Sequence, residues 1–506
     1  MAEGDITLGE LLDRAAADAG SLPALIGGDH TWSWAEVAYQ VNHLAQGLLR
    51  HGVGRGEVVG LLLHKRVELV VAFLACSRIG AVVCPLNFRQ PESHLRILIR
   101  SMGMRIAFVD EALLPLASGL GDVLELGRCV SLTSHSPWGG PTYEGVLNCV
   151  SGGSFPQISP SELAYLNFTS GSTGLPRGAA TTHANIQWNT LSSVRALGME
   201  QGDIFLGLFA AFSHPHELFS RTLYLMGTTV LLESLNTRVI SRTIETHRVS
   251  WMMAVPSMYE MISQHLTPEM NLSSLRRLEA GGAYVSGANL RRLEGLLGAD
   301  LVPVWGATEV SGVAFALLPG PDRPDGSMGR INPTYQARVV GEDGRDVARG
   351  EVGELAISGP AVVSGYYRAA HETAELFSGG WYFTRDLVRQ DEDGYFYFVA
   401  RRSEMLKVGG LRVYPLEVEL ALASHPAVKE VVVVRAEDRL RGEAARAVVV
   451  LEQGMTATPA ELRLHCRGSL ASYKLPRYVE IWPEIPHLPG GKIDKKGVAA
   501  APLPGE

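Results

Sequence analysis

The chain is 506 residues long, 46% hydrophobic and 19% charged, with 45 basic and 53 acidic residues and a formal net charge of −8. That length exceeds what one hydrophobic core serves, so several domains are expected, and the charge balance offers no diffuse basic field for nucleic acid. No apolar run is long enough to span a membrane, Met1–Asp5 lacks the basic-then-apolar pattern of a signal peptide, and the odd number of cysteines, with no C-x-x-C pair, suits small apolar fillers in a reducing compartment. The expected location is the cytoplasm.

Apolar residues recur at helical spacing over 8–17, and Thr31-Trp32-Ser33-Trp34 leads into a second amphipathic helix over 35–49. Residues 58–63 read as a buried strand, 67–79 as the helix after it, and 81–84 as the next strand, ended by Pro85. Further strands are expected at 106–110, 164–168, 228–232 and 251–255. Strands alternating with helices imply a parallel sheet covered on both faces. Between the strand at 164–168 and a helix over 184–197, which Thr182 can cap, lies Thr169-Ser170-Gly171-Ser172-Thr173-Gly174-Leu175-Pro176-Arg177-Gly178. A glycine loop between strand and helix lets backbone N–H groups close around phosphate oxygens, with hydroxyls as further donors and Arg177 as a fixed cation. The phrase does not fit the P-loop template G-x-x-x-x-G-K-[ST], and a Gly/Ser turn at the surface is the plainer alternative.

After about Gly326 the texture changes. Residues 337–341, 353–358 and 394–400 alternate or end in turns, as in a smaller β-rich subdomain. From Pro415 the order is helix, strand, strand, helix, strand, with the first two strands at 430–434 and 447–451. Thr458-Pro459-Ala460-Glu461 fits a capping box with proline at the first helical position. This segment suits a small α+β lid.

Four more phrases follow the glycine loop in order. They are Trp305-Gly306-Ala307-Thr308-Glu309, Thr384-Arg385-Asp386, a stretch from Ala400-Arg401 through Lys407-Val408-Gly409-Gly410 to Glu419, and Pro489-Gly490-Gly491-Lys492-Ile493-Asp494. Together the five resemble the signatures of the adenylate-forming superfamily of acyl- and aryl-CoA ligases, peptide-synthetase adenylation domains and luciferases. The resemblance spans essentially the whole chain. It implies an α/β fold: a large N-terminal domain of parallel α/β subdomains plus a β-rich subdomain over 1–400, a hinge at 401–403, and a small mobile α+β C-terminal lid domain over 404–506. It also implies ATP-dependent activation of a carboxylic acid to acyl-AMP, then transfer to a thiol, with ATP, Mg²⁺ and coenzyme A, or a carrier protein's phosphopantetheine, as cofactors.

The resemblance assigns roles residue by residue. Thr169 to Gly174 and Arg177 would hold the phosphates, and Glu309 would serve Mg²⁺, which takes few protein ligands and keeps waters. Thr308 would meet the α-phosphate. Trp305 and Gly306 would flank adenine, with Gly282 and Ala283 passing beside it. Asp386 and Arg401 would take the ribose, and Lys492 would bridge the acid and the α-phosphate as charge builds up. Lys407, Gly409 and Gly410 would line the thiol tunnel. Taken alone, these residues have plainer readings as a surface glutamate, a core tryptophan, a turn aspartate, a solvated lysine and a Gly-Gly hairpin.

Phe212, His214, His216, Gly281, Val304 and Val310 would form the acyl pocket. The stretch Ala210–Phe219 contains no aspartate to pair with an amino-acid substrate, and Val304 stands where malonyl-CoA synthetases have arginine. A monocarboxylic acid with a fatty, alicyclic or aromatic body is therefore favoured, with a small dicarboxylate such as malonate as the alternative, since His214-Pro215-His216 resembles the His-x-His of those synthetases. Either histidine lines the pocket or is packed and neutral. Three positions depart from the family: Arg177 replaces lysine, Arg385 replaces glycine, and Ser403 replaces the pivot Asp or Lys. These keep a non-catalytic nucleotide-binding scaffold in view as the remote alternative; an acyl carrier protein is the alternative thiol partner, and the oligomeric state is open.

Overall fold

The computed structural model describes residues 3–149, 153–169, 177–267, 269–487 and 493–503. The chain divides into two units: Met1–Gln336 with Ile357–Tyr382, and Ala337–Ala356 with Phe383–Glu506.

The first unit is built on two sheets. One has the strand order Val130–Ser131, Ile106–Val109, Val58–Leu62, Val82–Pro85, Leu163–Thr169, Arg177–Thr182. Its neighbours are parallel up to the last pair, which is antiparallel. The other runs Arg330–Ile331, Gly312–Ala316, Asp300–Ala307, Arg277–Gly281, Trp251–Ala254, Ile204–Gly207, Thr228–Leu231, Pro23–Gly27, His30–Ser33. It is parallel from Asp300–Ala307 to Pro23–Gly27 and antiparallel at both edges. The parallel strands are continuous apolar runs because helices cover both faces. Helix Val67–Arg78 is apolar nearly all round and buried along almost its whole length, as the interior position of Phe73 and its neighbours demands.

Local signals set the helix starts. Capping boxes at Thr7/Glu10, Ser33/Glu36 and Thr182/Asn185 satisfy the orphan N–H groups. Helix His183–Leu197 departs from the amphipathic pattern and buries polar side chains along its length. Two of them are ties. The Asn189 amide donates to the Val313 carbonyl (3.0 Å) and the Tyr335 hydroxyl (2.8 Å), and the Asn185 amide donates to the carbonyls of Pro360 (2.8 Å) and Val362 (3.2 Å).

In the second unit, Trp381–Gln390 and Phe396–Arg401 form an antiparallel ladder in which Asp386 faces Arg401. A further sheet orders Leu411–Val413, Leu406–Val408, Gly442–Leu451 and Val428–Asp438, with Tyr478–Ile481 parallel to Gly442–Leu451. Helices Pro415–Ala423 and Pro459–Cys466 pack on it, the second opened by the expected Thr458/Glu461 capping box with proline in the first turn. Among the described residues, no helix is long and apolar enough to cross a membrane.

Candidate active site

The glycine loop is not joined directly to a helix. Thr169 pairs with Arg177 and Phe168 with Gly178, so the strands on either side of it are antiparallel partners, and helix His183–Leu197 begins only after the strand Arg177–Thr182. This corrects the expectation of a strand-loop-helix. Gly178, Ala179 and Thr181 are buried in the ladder, and that pairing overrides the helix that Thr182 caps further on. The helix dipole is therefore not the loop's anion donor. Ser170, Gly171, Ser172, Thr173 and Gly174 lie outside the described residues, as does Lys492; Thr169 is described by its backbone alone.

Glu309 sits in a tight reversal between the antiparallel strands Asp300–Ala307 and Gly312–Ala316. It is buried at 5% exposure, beside the buried Thr308. Its Oε1 accepts a 2.6 Å hydrogen bond from the Tyr366 hydroxyl, a partner that no motif announces. Ser311 takes the left-handed conformation at φ 60°, and a Cβ at Gly306 would collide with the Gly312 carbonyl. Trp305 meets Phe315 edge-on at 5.6 Å and stays partly exposed. Gly281 lies opposite Val304, and a Cβ there would touch the valine at 3.1 Å; Gly282 follows at φ 82°, with Ala283 exposed. Arg177 is buried, with its guanidinium 5.8 Å above the Tyr366 ring and 3.9 Å from Glu375. Among the described residues, no group of three or more His, Cys, Asp or Glu side chains suits a metal ion. A single buried carboxylate beside a threonine hydroxyl is an all-oxygen donor set and fits Mg²⁺ shared with waters and phosphates.

The pocket residues divide. His216 is fully buried; its Nε2 faces the Ser311 carbonyl (3.0 Å), which only accepts, so Nε2 carries the proton and Nδ1 accepts from the Tyr165 hydroxyl (2.8 Å). Burial pushes its pKa down to about 3, so His216 is a packed neutral histidine rather than a gate. His214 is partly exposed and accepts at Nδ1 from the Asn167 amide (3.1 Å). Phe212 turns to Phe88, edge-on at 5.4 Å, under the Arg89 guanidinium. Val304 and Val313 share an apolar cluster with Trp251, and Val310 is fully buried. Sequence reasoning missed what lies two residues before Gly281 on its strand. The Arg221 guanidinium donates to Glu279 (2.5 Å) and approaches Glu217 at 3.5 Å, and Trp251 Nε1 also donates to Glu279 (2.5 Å). Burial raises the pKa of both carboxyl groups.

In the second unit Asp386 is buried and pairs with Arg401 at 3.3 Å, as their register dictates. Arg385 is exposed at φ 60°. The arginine that replaces the family's glycine thus takes a left-handed backbone conformation that glycine adopts without strain. Gly409 and Gly410, at φ 57° and 84°, form the two-residue turn of the hairpin Leu406–Val408/Leu411–Val413; Lys407 is exposed beside it. The segment around Ser403 is held by the Arg435 guanidinium, which donates to the carbonyls of Ser403 and Met405, and by the Lys495–Glu404 pair at 2.7 Å.

Two outcomes follow from this geometry. Arg385→Gly should leave stability equal or higher, whereas Arg385→Val should cost about 1–2 kcal/mol because a β-branched residue is forced into the left-handed region; denaturant unfolding of the two variants reads this. In ¹⁵N-histidine spectra His216 should keep one neutral Nε2–H tautomer from pH 8 to pH 5. The stability that His216 contributes is complete above the ordinary histidine pKa of about 6.5 and is lost as pH falls towards 3. His183, pushed down to about 4 by burial, acts with the same sign. A titrating His216 signal near neutral pH would contradict the packing.

Comparison with known proteins shows the family. The AMP-binding enzyme family matches residues 12–367, and the AMP-binding enzyme C-terminal domain matches residues 417–492. An indoleacetate–CoA ligase of Aromatoleum aromaticum is 31% identical over 499 residues, covering 97% of each chain. A feruloyl-CoA synthase of an Amycolatopsis species is 31% identical over 481 residues, covering 92% of this chain and 93% of that one. The structure of the anthranilate CoA ligase AuaEII in complex with anthranoyl-AMP superposes with a TM-score of 0.87 at 26% identity, covering 98% of this chain and 96% of that one. The chain belongs to the AMP-binding enzyme family and is an adenylate-forming acid–thiol ligase of its acyl- and aryl-CoA ligase branch.

Proposed function

We propose that the protein activates a monocarboxylic acid with an apolar, in the first place aromatic, body. The acid's carboxylate oxygen attacks the α-phosphorus of ATP and pyrophosphate leaves. The thiolate of coenzyme A then attacks the acyl carbon and AMP leaves. Thr169 to Gly174 and Arg177 hold the phosphates, and Thr308 meets the α-phosphate. Trp305, Gly306, Gly282 and Ala283 flank adenine, and Asp386 with Arg401 takes the ribose. Glu309, a hard oxygen donor, would hold Mg²⁺, which screens phosphate charge when bound. Lys492 stabilises the charge that builds up between carboxylate and α-phosphate. Residues 401–403 are the pivot about which the lid turns between half-reactions, and Lys407, Gly409 and Gly410 line the path of the pantetheine thiol. A carrier protein's phosphopantetheine presents the same thiol and is the alternative acceptor. The work is done in the cytoplasm, in keeping with five unpaired cysteines among the described residues.

The observation that carries the choice of acid is the engagement of Arg221. A distal carboxylate needs a cation, and this one is already held by Glu279 and Glu217. His216 is neutral, and Val304 and Val313 are apolar. A second carboxylate set against these valines and the neutral histidine would be desolvated at a cost of several kcal/mol. The acids named for three of the relatives, indoleacetate, ferulate and anthranilate, are aromatic.

In competition at limiting ATP, an aromatic or fatty monocarboxylate should beat malonate or succinate by well over tenfold in kcat/KM, a ratio of about 1.4 kcal/mol or more. Thioester products read by mass give the answer, and a dicarboxylate winning would refute the apolar pocket. Lys492→Ala should lower acyl-AMP formation by about 10²–10³ while leaving thioester formation from supplied acyl-AMP near normal. Equal losses in both half-reactions would make Lys492 structural.

A further inference from the structure

Tyr366 joins two parts of the site that sequence motifs treat as separate. Its hydroxyl donates to Glu309 Oε1 at 2.6 Å, and the Arg177 guanidinium lies over its ring, 5.8 Å from the centroid. The phenol is itself fixed. The Ala180 amide donates to the Gly365 carbonyl (3.0 Å), and the Tyr367 amide to the Gly178 carbonyl (2.8 Å). The Tyr366 amide donates to Thr373 Oγ1 (2.9 Å), and its ring meets Phe377 edge-on at 5.7 Å. The strand after the phosphate loop thus carries Tyr366 on its edge. The same segment also grips the reversal that bears Glu309, through Val363 N–H to the Glu309 carbonyl (2.9 Å) and Ser311 Oγ to the Ala361 carbonyl (2.8 Å).

The chemistry of a phenol suits this place. A lysine or arginine against Glu309 would orient the carboxylate but neutralise it, and would compete with a cation for it. A phenol O–H orients one carboxylate oxygen without cancelling its charge and leaves the other oxygen available. The same ring touches Glu309 through its hydroxyl and carries Arg177 on its face, and the charge of Arg177 is partly met by Glu375 at 3.9 Å. We infer that Tyr366 is a positioning residue for adenylation: it holds Glu309 by one oxygen, keeps Arg177 from pairing with it, and so preserves a full carboxylate charge for the cation that accompanies ATP.

The inference rests on the reading of Glu309 as the carboxylate for that cation, and the test separates the two. Tyr366→Phe keeps the ring and its packing and removes only the hydroxyl. With the full-length protein, Mn²⁺ is titrated into protein plus ATP, without any acid, and bound Mn²⁺ is read by electron paramagnetic resonance; metal-free AMP binding is measured alongside. Tyr366→Phe should weaken Mn²⁺·ATP binding about tenfold and leave AMP binding within about twofold. It should raise the Mg²⁺ concentration needed for half-maximal pyrophosphate release in the same proportion. In a Glu309→Gln background the same change should add less than about twofold, because the two residues act as one unit. Equal weakening of AMP and Mn²⁺·ATP, or full additivity with Glu309→Gln, would reduce Tyr366 to a packing residue. If Glu309→Gln alone leaves Mn²⁺·ATP binding unchanged, the metal assignment falls, and the role of Tyr366 falls with it.

Discussion

A buried carboxylate must be held by hydrogen bonds without losing the charge that makes it useful. Glu309 is the residue under that constraint, and much of the first unit serves it. Its reversal is tight enough that Gly306 admits no Cβ against the Gly312 carbonyl, and Ser311 takes a left-handed backbone to close the turn. The Val310 carbonyl accepts from the Tyr335 hydroxyl at 2.7 Å, and the Asn189 amide donates to that same hydroxyl from helix His183–Leu197. The polar interior of this helix, odd by the rule of apolar faces, follows from its task. It supplies donors to carbonyls at the end of a strand and along a loop, where no ladder reaches them.

Arg221, Glu217 and Glu279 answer a related problem with the opposite solution. Two acids share one guanidinium in a site closed to water, and burial favours the neutral form of each carboxyl. Such a cluster is rigid because removal of one partner strands the others, at a cost of about 3–5 kcal/mol. Gly312 belongs to both arrangements. Its missing Cβ lets Glu217 Oε1 approach its backbone, so the floor beneath the valines and the reversal that bears Glu309 meet at one glycine.

The parts of this design that sequence reveals are local. The cap at Thr182, the box at Thr458, the apolar strands and the alternation of strand and helix are set by residues within a few positions of one another, and they appear as read. The hairpin after the phosphate loop was not legible. Arg177-Gly178-Ala179-Ala180-Thr181-Thr182 has no clear alternation, and it is extended because Leu163–Thr169 lies beside it. Nor was Tyr366, whose partner is 57 residues away, or the Arg221–Glu279 pair, separated by 58. His216 shows the limit in another form. Its motif suggested a pocket residue, but its protonation is decided by a carbonyl at Ser311 that only the fold brings to it.

The departures from the family pattern follow the same division between backbone and side chain. At position 385 the backbone is left-handed, and the exposed arginine carries the Cβ–carbonyl strain that a glycine would lack. At 409 and 410 two consecutive left-handed residues are required by a two-residue turn, and there glycine stays. At Ser403 the requirement is different again. No left-handed backbone is at stake, and the contacts around that segment come from Arg435 and Lys495, which hold main-chain carbonyls and Glu404. At Arg177 both charge and geometry matter. A guanidinium keeps the positive charge and has a flat face that an ammonium lacks, and here it lies over the Tyr366 ring at 5.8 Å and 3.9 Å from Glu375. The strand Arg177–Thr182 thus meets the segment that bears Tyr366 through side chain as well as backbone, and the Tyr366 hydroxyl meets the carboxylate of Glu309.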